Sequence, residues 1–314
     1  MQRLNAIRAQ SDRGAVSVLA ALLMVPLIGF AAISIDIAAV HSDRQKLQMG
    51  ADAAALAIAQ DCARSDCGTL RARTTARQLV DKNTSATESS VSVDLVAAAG
   101  KVTVDTSDTR DHWFAPVLGI NESEVGATST AGWGSPISGT SALPLAFYVC
   151  EFWAQTGGGI PSDRIERTIE FTKTSNTDCP VPSGNLVPGG FGWLAPNAGT
   201  CQAFTRIGQE VQGAPGNKGG TSCMSSLHNK TILLPLFDAY RGQGNNAYYR
   251  VYGYAAFTIT GYHLSGANWN SPCRGNERCI SGYFTEFLDR SDDFEYGPST
   301  QNLGATAVYL LPDQ

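Results

Sequence analysis

A chain of 314 residues that is 43% hydrophobic and only 16% charged can bury a sizeable core, and its length favours two folded units. A formal net charge of −5 supplies no basic field of the kind that dominates non-specific nucleic-acid binding, which excludes nucleic acid as a partner. With 32 glycines and 14 prolines, most of the chain reads as strands and turns, and helix is concentrated near the N-terminus.

The first element is AVSVLAALLMVPLIGFAAISI, residues 15–35, which holds no charge. As a helix it spans about 31 Å, the thickness of a bilayer's hydrocarbon core, and is expected to cross a membrane. A cleaved secretory signal needs an apolar region of only about 7 to 15 residues, which this run exceeds. Pro26 sits mid-span, where a missing amide donor can kink a helix but is commonly accommodated in membranes. Arg3, Arg8 and Arg13 precede the span against Asp12 alone, whereas Arg44 and Lys46 follow it among Asp36 and Asp43. This flank asymmetry places the N-terminus in the cytoplasm and everything after about residue 40 outside the membrane. All eight cysteines lie beyond residue 60, in the part thereby assigned to an oxidising compartment.

The helical pattern continues without a break through IDIAAVHSDRQKLQMGADAAALAIA, residues 35–59, but in small residues. Val40, Leu47, Ala51, Ala54 and Ile58 form a narrow apolar stripe whose small members allow another helix to approach closely. Arg44, Gln48 and Asp52 follow at four-residue steps and line one face, where they can hydrogen-bond along the helix or to a neighbour. The segment 1–60 is thus expected to be an anchor and an Ala-rich helix that docks on like helices or on its own domain.

Residues 61–132 are expected to form a small α+β module. VSVDLVAA (91–98) and KVTVDT (101–106) alternate apolar and polar residues around Gly100, as an antiparallel hairpin does. RDHWFAPVLGI places Trp113, Phe114, Val117 and Leu118 at helical spacing, and SEVGATSTAG follows as a third strand. The Gly, Ser and Pro content of GWGSPISGTSA marks a linker over 133–142. Residues 143–314 are expected to be a β-rich sandwich or barrel, with strands in LPLAFYVCEFW, RIERTIEFTK, GFGWLA, KTILLPLFDA, AYYRVYGYAAFTITGYHL, CISGYFTEFL and GATAVYLL. The stretch 247–264 is too long for one ordinary strand, so Gly253 or Gly261 should mark a bulge or bend.

The cysteines suggest two local loops, Cys62 with Cys67 and Cys273 with Cys279. The remaining Cys150, Cys179, Cys201 and Cys223 allow three connectivities, of which Cys179 with Cys201 and Cys150 with Cys223 is favoured. The close paired spacings of a zinc site are absent, so these are expected to be structural disulfides. No G-x-S-x-G, H-E-x-x-H or phosphate-loop motif occurs, and GQEVQGAPGNKGGTSC is better explained as a solvated loop. The acidic run DRSDDFEYG and the segment DTSDT match no calcium loop and are expected to be a turn and a hairpin exit. The chain is therefore expected to be no enzyme, with no cofactor, no metal and no small-molecule substrate.

The first 60 residues resemble the TadE/TadG-like family of the bacterial Tad (Flp) pilus assembly system. The resemblance is carried by Arg13 and Gly14 before the span, Asp36 at its outer end, and Arg44, Leu47, Gln48, Ala51, Asp52, Ala53, Ala54, Ala55, Leu56 and Ala57 beyond it. Processed pilin-like relatives carry Glu at the fifth position after a cleavage-site glycine; counted from Gly14 that position is Leu19, which points to an uncleaved anchor resembling TadG. The resemblance implies a pilin-like character for the module to about residue 132. It also implies an anchored assembly component whose partners are the membrane and other Tad pilus assembly or pilin-like subunits. The alternative is an anchored cell-surface adhesion or ligand-binding module unrelated to filament assembly.

Overall fold

A computed structural model describes residues 12–84, 89–171, 179, 190–214, 221–288, 290–298 and 301–312. Helix α1 (Asp12–Ala63) is one continuous rod of 52 residues, followed by α2 (Thr69–Asn83). Strands β1 (Ser90–Val96) and β2 (Lys101–Asp111) form the expected hairpin, with Val93 opposite Val104. Gly100 makes the turn possible: its φ is +60°, and a Cβ there would lie 2.3 Å from the Trp133 carbonyl oxygen. After a 3₁₀ turn at Ala115–Leu118 comes β3 (Glu122–Ser141), 20 residues long. The chain continues through β4 (Leu145–Tyr148), α3 (Val149–Thr156), β5 (Arg167–Glu170), β6 (Phe191–Trp193), β7 (Ala203–Arg206), β8 (Glu210–Gln212) and α4 (Thr221–Met224). It ends with β9 (Thr231–Arg241), β10 (Tyr248–Leu264), β11 (Ala267–Trp269), β12 (Cys279–Thr285), β13 (Phe294–Gly297) and β14 (Ala307–Leu311).

Two sheets result. The first has the order β1-β2-β3-β13, with β14 and β7 also paired to β3. The second has the order β5-β12-β10-β9-β4-β6, with β8 and β11 paired to β10. The second sheet is buried on both faces, which explains the nearly unbroken apolar run of β9. One face gives Leu234, Leu236, Phe257, Ile259 and Phe284 to the main core, joined by Phe152 from α3. The other packs Leu233, Val251, Tyr254 and Ala256 against Phe294 of β13. There burial pushes the Tyr254 hydroxyl up to about 12, although it hydrogen-bonds Thr205 at 2.8 Å. The register of β10 shifts between Val251 and Gly253 and again between Ile259 and Gly261, so irregularities lie beside both glycines singled out from its length.

Several sequence expectations are corrected. Residues 133–141 are not a linker but the second half of β3. Their glycines serve close approach rather than flexibility: a Cβ on Gly139 would lie 2.3 Å from the Phe294 ring, and one on Gly134 would lie 2.6 Å from the Gly297 carbonyl oxygen. Pro136 sits where the β3–β13 register shifts, a position that tolerates a missing donor. The small module is also not closed by its own residues, because β14, from the far end of the chain, pairs with β3 at Thr130–Gly134. The stretch LPLAFYVCEFW is strand only to Tyr148; it then turns into α3, which is capped by Gly157 at φ +68°. In RDHWFAPVLGI, β2 runs on to Asp111 and only the short 3₁₀ turn follows. DTSDT lies within β2, and the loop around 208–223 contains β8, with residues 215–220 outside the described part. Residues 172 and 173 of RIERTIEFTK also lie outside it.

Cys62 bonds Cys67 and Cys273 bonds Cys279. The other pairing differs from the favoured one: Cys150 bonds Cys179 and Cys201 bonds Cys223. In each bond a buried cysteine is joined to a partly buried one. Cys150 is buried at the start of α3, and Cys223 is buried in α4.

Candidate functional site at the junction of the apolar helix and the folded domain

Val16 to Ile35 of α1 stand outside the fold, with side chains exposed along most of this length, and the helix passes Pro26 without a break. It is the one described helix long and apolar enough to cross a membrane, with a mean hydropathy of 2.6 in its most apolar window. Beyond this part the same helix becomes a component of the domain, and the change occurs at Asp36.

Asp36 is buried, and its carboxylate accepts three backbone hydrogen bonds. The Trp113 N–H donates to Oδ1 at 2.9 Å; those of Phe114 and Ala115 donate to Oδ2 at 2.9 and 2.7 Å. These amides precede or open the 3₁₀ turn and have no partner in a preceding turn of helix, so the carboxylate satisfies donors that would otherwise need water. Further along α1, Asp43 accepts from Arg110 at 2.7 Å and from Lys46 at 3.2 Å. The Gln48 amide donates both to the Thr128 carbonyl at 3.1 Å and to Asp52 at 2.9 Å. At the far end, the Asn302 side-chain amide donates to the Ala63 carbonyl at 2.8 Å, closing an orphan acceptor of the last turn. Polar contacts therefore fasten the helix to the domain at intervals from Asp36 to Ala63.

Between these fastenings lies the small-residue stripe. Leu47 packs with Val125 and Ala127 of β3, and Val40 packs beside them. Ala51, Ala54, Ala55, Ile58 and Ala59 pack with Val102 and Val104 of β2, Ala131 of β3, and Ala72 and Ala76 of α2. Gly50 lets α2 come close, since a Cβ there would lie 3.1 Å from the Cα of Val80. Of the residues singled out for assembly, Leu47, Ala51 and Ala54 are thus covered by the chain's own domain. Gln48 and Asp52 are half-buried and hydrogen-bonded to each other, Asp36 is buried, and Arg44 is exposed.

Among the described residues, no group of three or more His, Cys, Asp or Glu side chains is arranged to hold a metal. In the acidic run, Asp289 lies outside the described residues. Glu295 receives Ser138 at 2.7 Å and Arg206 at 3.2 Å; the serine hydroxyl, then the arginine, hold its carboxyl below the usual carboxylate range.

The architecture is that of a protein with one apolar N-terminal helix that continues, uninterrupted, into a disulfide-bonded β-rich domain. Residues 14–61 match the Tad family model, described as "Putative Flp pilus-assembly TadE/G-like", and this N-terminal region is TadE/TadG-like. No curated protein and no solved structure matches the chain. The matched segment covers the junction, from Gly14 before the apolar run to the last turns of α1.

Proposed function

We propose that this chain is a non-enzymatic, membrane-anchored component of Tad (Flp-type) pilus assembly. Its N-terminus lies in the cytoplasm and its disulfide-bonded domain outside the membrane. The observation that supports this best is the junction itself: the family-matched segment is one helix, apolar and uncovered before Asp36 and built into the domain after it. A continuous helix of this kind couples the tilt of the domain to that of the span, which suits a subunit that positions others. The module of α1, α2, β1, β2 and β3 resembles a pilin in its helix followed by a small antiparallel sheet, and the disulfides suit an oxidising compartment.

Because the Ala stripe is occupied within the chain, pilin-like or assembly partners meet the span and the uncovered side of α1, where Ile37, His41 and Arg44 lie on one lane. A photo-crosslinking residue at Arg44 should capture another assembly subunit in cells, whereas the same residue at Ala54 should not. Deleting the gene should abolish surface pili. Intact filaments with lost attachment would replace this reading with that of an anchored adhesin.

A further inference from the structure

We propose that the segment WFAPVLGI, residues 113–120, is a second membrane contact that sits in the interface of the bilayer beside the point where α1 emerges. The proposal rests on the reading of α1 as a membrane span. The segment carries five large apolar side chains that the domain does not cover. Val117 is 90% exposed, Trp113 and Leu118 are each 66% exposed, Ile120 is 52% exposed and Phe114 is 44% exposed. No charged residue occurs among them. Single exposed apolar residues are ordinary on a protein surface, but a contiguous group of this size marks a surface that is covered in use.

What covers it follows from where it is held. The three amides that bond Asp36 belong to the start of this segment, and Asp36 is the first charge after the uncharged run 15–35. The loop is therefore fixed beside the helix at the level where the hydrocarbon core ends, next to Ile33, Ile35 and Ile37, which are likewise exposed. Trp and other aromatic side chains are favoured at this depth. The backbone also suits a medium poor in water. Val117 N–H donates to Phe114 at 3.2 Å, Gly119 N–H to Pro116 at 3.0 Å and Ile120 N–H to Ala115 at 3.3 Å, while Pro116 has no donor to satisfy. Charged groups resume on the domain side, where Arg110 lies 5.2 Å from the Trp113 ring centroid and pairs with Asp43, about two helical turns beyond Asp36.

A single helix leaves a domain free to rotate about the helix axis. A second contact removes that freedom, so the same side of the domain and of α1 always faces a neighbouring subunit.

The test uses the full chain in phosphatidylcholine and phosphatidylglycerol vesicles, plain or with acyl chains brominated near the head group. The emission of Trp113 is obtained as the difference between the unaltered protein and Trp113→Phe. Bromination should quench that emission at least about twofold, because interfacial segments bury their apolar face among the acyl chains. The double variant Val117→Asp, Leu118→Asp alters two side chains the fold leaves exposed. It should lose the quenching yet remain in the vesicles after alkaline carbonate extraction. Trp113 emission that is equal in plain and brominated vesicles, in protein that resists carbonate, would overturn the proposal and leave the patch to a protein partner. Release of the unaltered protein by carbonate would overturn the span reading, and this proposal with it.

Discussion

The two halves of the molecule are packed in opposite ways. Around α1 the core is built of alanine, with valines from β2 and one isoleucine, and the helix lies close on its sheet and on α2. Around β10 the core is aromatic: Phe257 lies between Phe147 at 4.8 Å and Phe284 at 4.9 Å between ring centroids, and Phe152 closes on Phe284 at 5.0 Å. An aromatic core gains stability from the area each ring removes from water and is most sensitive to losing a ring. An alanine seam buries little per residue, gains from the closeness of the backbones and is most sensitive to added volume. The β-rich half is thus held by bulk, and α1 is held to its sheet by fit.

The largest effect expected from this contrast is in the aromatic half. Phe257→Ala should destabilise the protein by about 3–5 kcal/mol, since neighbouring rings cannot collapse fully into the space. Urea unfolding of the detergent-solubilised chain, followed by aromatic circular dichroism, measures it. A loss below about 1 kcal/mol would mean that the cluster contributes no more than an alanine seam does.

Next in size is an alkaline effect confined to the same half. The hydroxyl of Tyr254 is raised from an ordinary value of 10.0 to about 12 by burial, so between these values the folded state holds a proton that the unfolded state has released. The stability this represents is present below pH 10 and is lost as pH rises towards 12, on the order of 2 kcal/mol over the window. Tyr254→Phe should flatten that part of the stability profile. An unchanged slope in the variant would assign the alkaline loss to other groups.

In the half built around α1 the sign of the size change reverses. Ala54→Leu, which adds volume where α1 meets its partners, should cost about 1–3 kcal/mol and loosen the helix from the sheet. Hydrogen exchange of the α1 amides after residue 40 should rise while that of β10 stays the same. If both halves loosen equally, the seam and the aromatic core form one cooperative unit and the contrast drawn above fails.

These two packings were unequally legible in the sequence. The long apolar helix, the hairpin at Gly100 and the irregularities in β10 follow from local patterns, because an unbroken apolar run, an alternating pair and an overlong strand each have few structural solutions. The second half of β3 was hidden, since glycine and serine chosen for close strand contact have the same composition as a linker. WFAPVLGI has helical spacing but no buried face, so its apolar residues mimic a core helix that does not exist. The partners of Asp36 are backbone amides and carry no sequence sign at all; the acid alone was visible. The fastening of Ala63 by Asn302 and the closing strand β14 come from the opposite end of the chain, where no local pattern points back to α1.

The smallest effect concerns one of those fastenings and separates fit from bonding within the half built around α1. Gln48 bridges α1 to β3 through the Thr128 carbonyl while also holding Asp52, and both contacts lie at partly exposed positions where water can replace them. Gln48→Ala should therefore cost only about 0.5–1 kcal/mol, less than the added bulk of Ala54→Leu a turn and a half away. Double-mutant combination with Asp52→Ala should recover part of that cost, because the Gln48–Asp52 bond is then already gone. A loss larger than that of Ala54→Leu would show that hydrogen bonds, rather than the closeness of small residues, hold α1 to the domain.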